Sequence, residues 1–221
     1  MACLFNLSFY EETKGMLLHY VPVVALQHTE HETPEQYNFS QPTEKKDSLL
    51  RILEQLVSDF LPYYVKHRNS LKYGDPNRKK VPQNTVEAST LRWTMCLFRN
   101  LANDAEHATL LATTTRLPAA ALQILKIAGQ DADLSQWSHD SLPEACLVLW
   151  VWLVQASNEA CRHLQQHFLD PEADLHALKI FEPIAAQPGI QGVRAKMISN
   201  RLQVVIDDDT TTSNLNTMAS F

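Results

Sequence analysis

Glycine is scarce in this sequence, and its scarcity excludes several kinds of functional site. The 221 residues contain five glycines, at positions 15, 74, 129, 189 and 192. They form no Walker motif, no dinucleotide-binding fingerprint and no G-x-S-x-G nucleophile elbow, each of which needs glycines at set short spacings. All-β folds also depend on glycine in their tight turns. Because helices have no such need, the composition favours an all-helical chain.

The sequence also lacks a basic excess and a long apolar run. Its net charge of −6 disfavours nucleic acid as a partner, because binding to phosphates needs a basic surface. The longest apolar run, 145–154, has ten residues, half of the roughly 20 that a membrane-spanning helix needs. No signal or transit peptide is evident at the start. We therefore expect a cytoplasmic protein that does not bind a membrane.

The cysteines and histidines form no familiar catalytic or metal-binding pattern. No two cysteines are spaced as C-x-x-C, which removes the usual zinc and redox motifs; they are Cys3, Cys96, Cys146 and Cys161. His163 and His167 are four residues apart, but Leu164 stands where a zincin-type hydrolase needs glutamate. We expect no metal, no cofactor and no catalytic residue. A helical metal hydrolase using His163, His167 and Cys161 is the remote alternative.

A segment near the start of the chain recurs later. Residues 3–26 read CLFNLSFYEETKGMLLHYVPVVAL, and residues 96–122 read CLFRNLANDAEHATLLATTTRLPAAAL. Both contain, in order, Cys-Leu-Phe, Asn-Leu, an acidic residue, a pair of leucines, a proline and Ala-Leu. Self-similarity of this kind is the sequence signature of a repeat protein.

Apolar residues at helical spacing predict further helices over 48–62 and 190–205, and a continuous apolar run predicts another over 144–156. A long helix, a polar turn, a short amphipathic helix, a proline and another helix make up each unit. Such a trio cannot bury its apolar face alone, so copies must stack. The predicted organisation is one helical repeat domain over 1–206, polar loops at 29–46, 62–84 and 130–142, and a disordered tail at 207–221.

Residues 90–125, TLRWTMCLFRNLANDAEHATLLATTTRLPAAALQIL, resemble an armadillo repeat from its third helix into the next two. The resemblance implies an all-α, armadillo/HEAT-like right-handed α-solenoid of three to four units. The sequence departs from the family where a glycine usually joins the first two helices, because Thr115-Arg116 stands there instead. A finer similarity joins three segments, NLSFYEETKGML, FRNLANDAEHATLLA and LVLWVWLVQASNEACRHLQQ, to the C-terminal units of rotatin-like proteins. Those proteins are scaffolds of centrioles and ciliary basal bodies.

The armadillo resemblance also implies where a partner would bind. Members of the family hold extended peptides along their third helices, often through an asparagine whose amide both donates and accepts hydrogen bonds. Asn6 and Asn100 occupy that position by resemblance. The tryptophan usually found four residues earlier is replaced by Ala2 and Cys96, and Trp93 is the nearest substitute.

A basic cluster within 62–84 is the second candidate binding site. It consists of Lys66, Arg68, Lys72, Arg78, Lys79 and Lys80. It would suit an acidic protein segment, tubulin or RNA; alternatively it is a solvated loop.

Together these features predict a non-catalytic scaffold or adaptor that binds other proteins. The similarity to rotatin-like proteins implies that it works within a larger assembly at the centrosome or ciliary base. A transport adaptor of the importin or kinesin-associated kind is the alternative.

Overall fold

The computed structural model describes residues 49–72, 86–129, 137 and 141–204, with side chains only to residue 66 in the first of these ranges. These residues form eight α-helices and no strand: α1 Leu49–Lys72, α2 Val86–Leu101, α3 Ala105–Thr114, α4 Leu117–Ala128, α5 Leu142–Ala156, α6 Asn158–Phe168, α7 Ala177–Ala185 and α8 Ile190–Val204. The predicted all-helical fold is confirmed for this part of the chain. The repeat unit at 1–29, the loop at 29–46 and the tail at 207–221 lie outside the described residues.

Short polar side chains start three of these helices. Asp104, Ser141 and Ser157 each accept a hydrogen bond from a backbone N–H in the first turn of α3, α5 and α6, at 3.0, 3.4 and 3.0 Å. These caps satisfy N–H groups that have no partner within the helix. Prolines stand in the first turns of α4 and α5, where the missing N–H costs nothing. The cap at Asp104 and the helix start at Pro118 were both predictable from the sequence.

The basic segment after Pro62 is helical at its start, so the prediction of a loop from residue 62 is wrong there. Helix α1 continues through Pro62 to Lys72, and Lys66 lies on it. Proline inside a helix removes one backbone hydrogen bond. Pro62 and Ser58, whose carbonyl loses that bond, are both exposed. Water can therefore satisfy the carbonyl, and the helix is not forced to end.

The turn between α3 and α4 forms without glycine. Thr115 and Arg116 have φ angles of −120° and −89°, so neither needs the left-handed region. The Thr115 hydroxyl donates to the Leu111 carbonyl at 2.5 Å and accepts from the Leu117 N–H at 3.3 Å. The Arg116 N–H donates to the Glu54 carboxylate of α1 at 2.8 Å. Side-chain hydrogen bonds thus close this turn without glycine.

Helix packing follows a regular order along the chain. Each of the first five helices contacts the helix three places later: α1 with α4, α2 with α5, α3 with α6, α4 with α7 and α5 with α8. Helix α5 also contacts α3, α4 and α6, so it lies at the centre of the described part. Its uninterrupted apolar sequence agrees with this position, because a helix covered on several sides needs no polar face.

Trp150 of α5 is the largest fully buried side chain in this core. Its indole N–H donates to the Pro118 carbonyl at 3.2 Å. Phe168 and Phe181 contact it edge-on, with ring centroids at 5.6 and 5.5 Å, the geometry that aromatic quadrupoles favour. Trp152, two residues further along α5, is only partly buried and packs at the edge of the core.

Candidate protein-binding surface

Helix α2 presents Trp93 and Asn100 on one side. Seven residues separate them, which is close to two helical turns, and both are half-buried. The Arg92 guanidinium lies 4.9 Å from the centre of the Trp93 ring, within cation–π range. The helix geometry therefore agrees with the prediction that Trp93 and Asn100 lie on the same side of this helix.

The Asn100 amide is oriented by its neighbour. Its Oδ1 accepts from Nε and Nη2 of Arg99, both at 3.3 Å. Arg99 is almost fully buried, so its guanidinium is held in the protein and fixes the amide from one side. An amide held in this way loses less side-chain entropy when a ligand arrives.

Helix α5, which packs against α2, presents a second set of side chains that the sequence reasoning missed as binding candidates. Val148, Trp152 and Gln155 follow one another at spacings of four and three, so they share a face. All three are half-buried or exposed, although α5 is otherwise largely buried. Helical spacing, which also places Trp93 and Asn100 on one side of α2, could have identified this face from the sequence.

Polar contacts connect α8 to α5 and α6. Arg194 forms an ion pair with Glu144, whose side chain is buried in the first turn of α5. Arg201 donates from Nε to the Val154 carbonyl at 3.3 Å and from Nη2 to Asn158 Oδ1 at 2.6 Å. The Gln165 amide donates to the carbonyl of Leu202 at 2.6 Å. These contacts join α8 to α5 through Arg194 and Arg201, and to α6 through Arg201 and Leu202.

Most of the predicted basic cluster cannot be placed. Lys66 is exposed on α1. Arg68 and Lys72 lie within α1, but their side chains are outside the described part, as are Arg78, Lys79, Lys80 and the whole of Asn6. The cluster as a binding site thus stays a prediction.

The cysteines of the described part are poor candidates for a catalytic site. Cys96, Cys146 and Cys161 are buried thiols. Burial, and then the nearby Cys96, raise the pKa of Cys146 well above its ordinary value. Burial also raises the pKa of Cys161, against a smaller lowering by Arg201. A thiol with a raised pKa is a poor nucleophile at neutral pH. Within the described ranges, no three His, Cys, Asp or Glu side chains are grouped to hold a metal.

Two surface recesses lie between helices of the described part. One, of about 630 Å³, lies between α1 and the α3–α4 turn and includes Arg51, Glu54 and Arg116. The other, of about 470 Å³, lies between α3 and α6 beside His163. Neither contains a cluster of catalytic type.

Comparison with known proteins adds no further identification. No protein-family model matches the chain, and no curated protein or solved structure matches it either. The fold itself defines the class of the described part, which is all-α. No helix in 49–72, 86–129 or 141–204 is long and apolar enough to cross a membrane.

Proposed function

We propose that this protein is a non-catalytic scaffold or adaptor, built as an armadillo-like right-handed α-solenoid of three to four units. The observation that carries the proposal is the regular contact of each helix with the third one after it. In stacked three-helix units, every helix packs on its equivalent in the next unit. The internal repeat of 3–26 in 96–122 supports the same arrangement.

The partner-binding surface in this proposal runs along the equivalent helices α2, α5 and α8. Trp93 and Asn100 of α2 and Trp152 and Gln155 of α5 combine aromatic rings with amides. Tryptophan is over-represented among the residues that contribute most to protein binding, and amides can pair with the backbone of an extended peptide.

Charge favours an acidic partner segment over a basic one. Helices α2, α5 and α8 carry five basic side chains and two acidic ones: Arg92, Arg99, Arg194, Lys196 and Arg201 against Glu87 and Glu144. Arg99 is almost fully buried, and Arg194 is paired with the buried Glu144. The other side chains still give three basic groups against one acidic group. A positive surface attracts acidic segments and repels basic ones. This balance weighs against the importin-like alternative, which needs an acidic groove, and leaves the kinesin-associated kind of adaptor as the second candidate.

The test measures binding of fluorescent 12-residue peptides to the full chain. Acidic, neutral and basic peptide pools of equal length and aromatic content would be compared by anisotropy at low and moderate salt. We expect acidic peptides to bind best. Trp152→Ala should weaken their binding by about 2 kcal/mol, or roughly thirtyfold. The matched control is Arg162→Ala on the exposed side of α6, which should leave the affinity unchanged.

Two results would overturn the proposed surface. One is preferential binding of the basic pool, which would support the importin-like alternative. The other is equal affinity of the wild type and Trp152→Ala, provided that circular dichroism shows the variant folded. Imaging of a tagged chain tests the location separately, because the rotatin-like similarity predicts signal at centrioles or ciliary bases and diffuse cytoplasmic signal would contradict it.

A further inference from the structure

Helix α8 has one face that the helices packed against it leave open. Val193, Lys196, Asn200 and Val204 follow one another at spacings of three and four, so they lie on the same side of the helix, and all four are exposed. The buried residues of α8 lie on its opposite side, against α5, α6 and α7. With Ile190, three of the five exposed large apolar side chains in the described ranges belong to α8. Apolar exposure concentrated in this way is typical of a binding surface. The four residues form the open face of α8.

The open face combines apolar side chains with a positive charge. Helix α8 contains no acidic residue. Of its basic residues, Arg194 is paired with Glu144, and Arg201 donates to neighbouring helices, whereas Lys196 is exposed on the open face. An occupant that complements this face therefore needs apolar side chains and negative charge.

The segment that directly follows α8 in the chain has this composition. Residues 205–221 read VIDDDTTTSNLNTMASF, with three consecutive aspartates at 207–209 and no basic residue. Further along the segment, apolar side chains recur at Leu215, Met218 and Phe221. Carboxylates placed just after a helix C-terminus meet its partial negative charge. Contact with Lys196 would offset that repulsion.

The segment is also long enough to reach the open face. Lys196 precedes Val204 by eight residues, which is about 12 Å along a helix. The five residues from Val204 to Asp209 span up to about 17 Å when extended. A short tether of this kind gives an effective concentration in the millimolar range, so even weak affinity is sufficient for contact.

We propose that residues 205–221 bind back on the open face of α8, with the aspartates at 207–209 beside Lys196 and the apolar residues against the valines. The occupant is thus a segment of the same chain, and it exchanges between bound and free states. Since α8 is part of the proposed partner surface, the bound segment competes with an acidic partner. This competition rests on the proposed function, whereas the binding of 205–221 to α8 does not.

Carbodiimide cross-linking of the full chain tests the contact. The reagent joins an amine directly to a carboxylate, so it links Lys196 to the aspartates at 207–209 where they touch. Peptide mass spectrometry compares the yield in the native protein with that in urea, where only the tether brings the groups together. We expect the native yield to be at least about threefold higher. Lys179, exposed on the neighbouring helix α7, is the control and should show no such increase.

Peptide binding to the full chain tests the competition. The triple variant Asp207→Asn/Asp208→Asn/Asp209→Asn should bind the acidic 12-residue pool at least about twofold more tightly, because a segment with a Kd of about 1 mM occupies half of the face at millimolar effective concentration. The matched control, Glu106→Gln/Glu172→Gln/Glu182→Gln, removes the same amount of charge from exposed positions elsewhere. It should raise the affinity clearly less.

The two measurements fail in different ways. Equal cross-link yields in the native protein and in urea would overturn the binding of 205–221. Cross-links between ¹⁵N-labelled and unlabelled chains in a mixed sample would overturn it too, because a second copy would then occupy the face. A native cross-link with equal peptide affinity in the two triple variants would contradict the competition. A native cross-link without peptide binding to any variant would support the binding of 205–221 and contradict the proposed function.

Discussion

Helices α5 and α8 pack against each other but are stabilised differently. Helix α5 is covered by five other helices and buries Trp150 completely. Helix α8 is covered on one side, by α5, α6 and α7. On its other side Ile190, Val193 and Val204 are 54%, 59% and 68% exposed.

The two helices also differ in the kind of contact that holds them. Around α5 the contacts are mainly apolar, and burial of large apolar side chains is the strongest stabilising effect in a protein core. Between α8 and its neighbours, the ion pair of Arg194 with Glu144 and the hydrogen bonds of Arg201 supplement a narrow strip of buried residues. Net contributions of such polar contacts are small. We therefore expect α8 to open locally while α5 unfolds only with the whole domain.

The largest loss of stability should come from removing the Trp150 side chain at the centre of the core. Trp150→Ala removes the side chain that packs against Phe168 and Phe181, and it should lower the free energy of unfolding by about 3–5 kcal/mol. Urea denaturation followed by circular dichroism measures this. The partly buried Trp152 provides the control, because Trp152→Ala should cost clearly less. Equal losses in the two variants would show that α5 is not the centre of the stable core.

Much of this arrangement could be predicted from local sequence. The continuous apolar run identified α5 over 144–156, observed as Leu142–Ala156, and helical spacing identified α8 over 190–205, observed as Ile190–Val204. The cap at Asn103-Asp104 can be recognised from the sequence because capping depends on a side chain and a backbone group a few residues apart. On the proposed binding surface, helical spacing predicts that Trp93 and Asn100 lie on one side of α2.

Features that depend on distant contacts could not be predicted in this way. Which of Trp150 and Trp152 is buried depends on how α5 is rotated toward α4, α6 and α7, and both positions are equally apolar in sequence. The ion pair of Glu144 and Arg194 joins residues fifty positions apart. The continuation of α1 through Pro62 depends on solvent reaching that side of the helix. Propensity alone predicted a break there.

Removal of the ion pair of Arg194 with Glu144 should cause an intermediate loss of stability. Arg194→Met removes the charge opposite a carboxylate that is almost fully buried, and it should lower the free energy of unfolding by about 1–3 kcal/mol. Partial exposure of Arg194 keeps the loss below that of Trp150→Ala, because water screens the pair.

A double-mutant cycle tests whether this loss comes from the pair itself. Adding Glu144→Gln to Arg194→Met should restore part of the lost stability, since the neutral amide no longer needs a counter-charge. If the effects of the two single variants simply add, the pair makes no specific contribution, and α8 is held by its apolar strip.

The smallest effect should appear in the local opening of α8, which two buried thiols can report. Cys161 lies under α8, with its Sγ 3.6 Å from the Arg201 carbonyl, whereas Cys146 lies within α5. Both thiols have raised pKa values, chiefly because of burial, so both should react slowly in the folded protein. Opening of α8 exposes only Cys161, and global unfolding exposes both. Pulsed alkylation with peptide mass spectrometry should therefore label Cys161 faster than Cys146.

Arg201→Ala sharpens this comparison because it removes the hydrogen bonds of α8 to Val154 and Asn158 without changing a side chain of α5. The loss of about 1 kcal/mol should raise the labelling rates of both thiols roughly fivefold, because local opening of α8 and global unfolding both break these bonds. Labelling in urea, where both thiols are exposed, corrects for their intrinsic reactivities. Equal corrected rates for Cys161 and Cys146 in the wild type would mean that α8 and α5 unfold as one unit, and an unchanged Cys161 rate in Arg201→Ala would mean that these hydrogen bonds do not hold α8 in place.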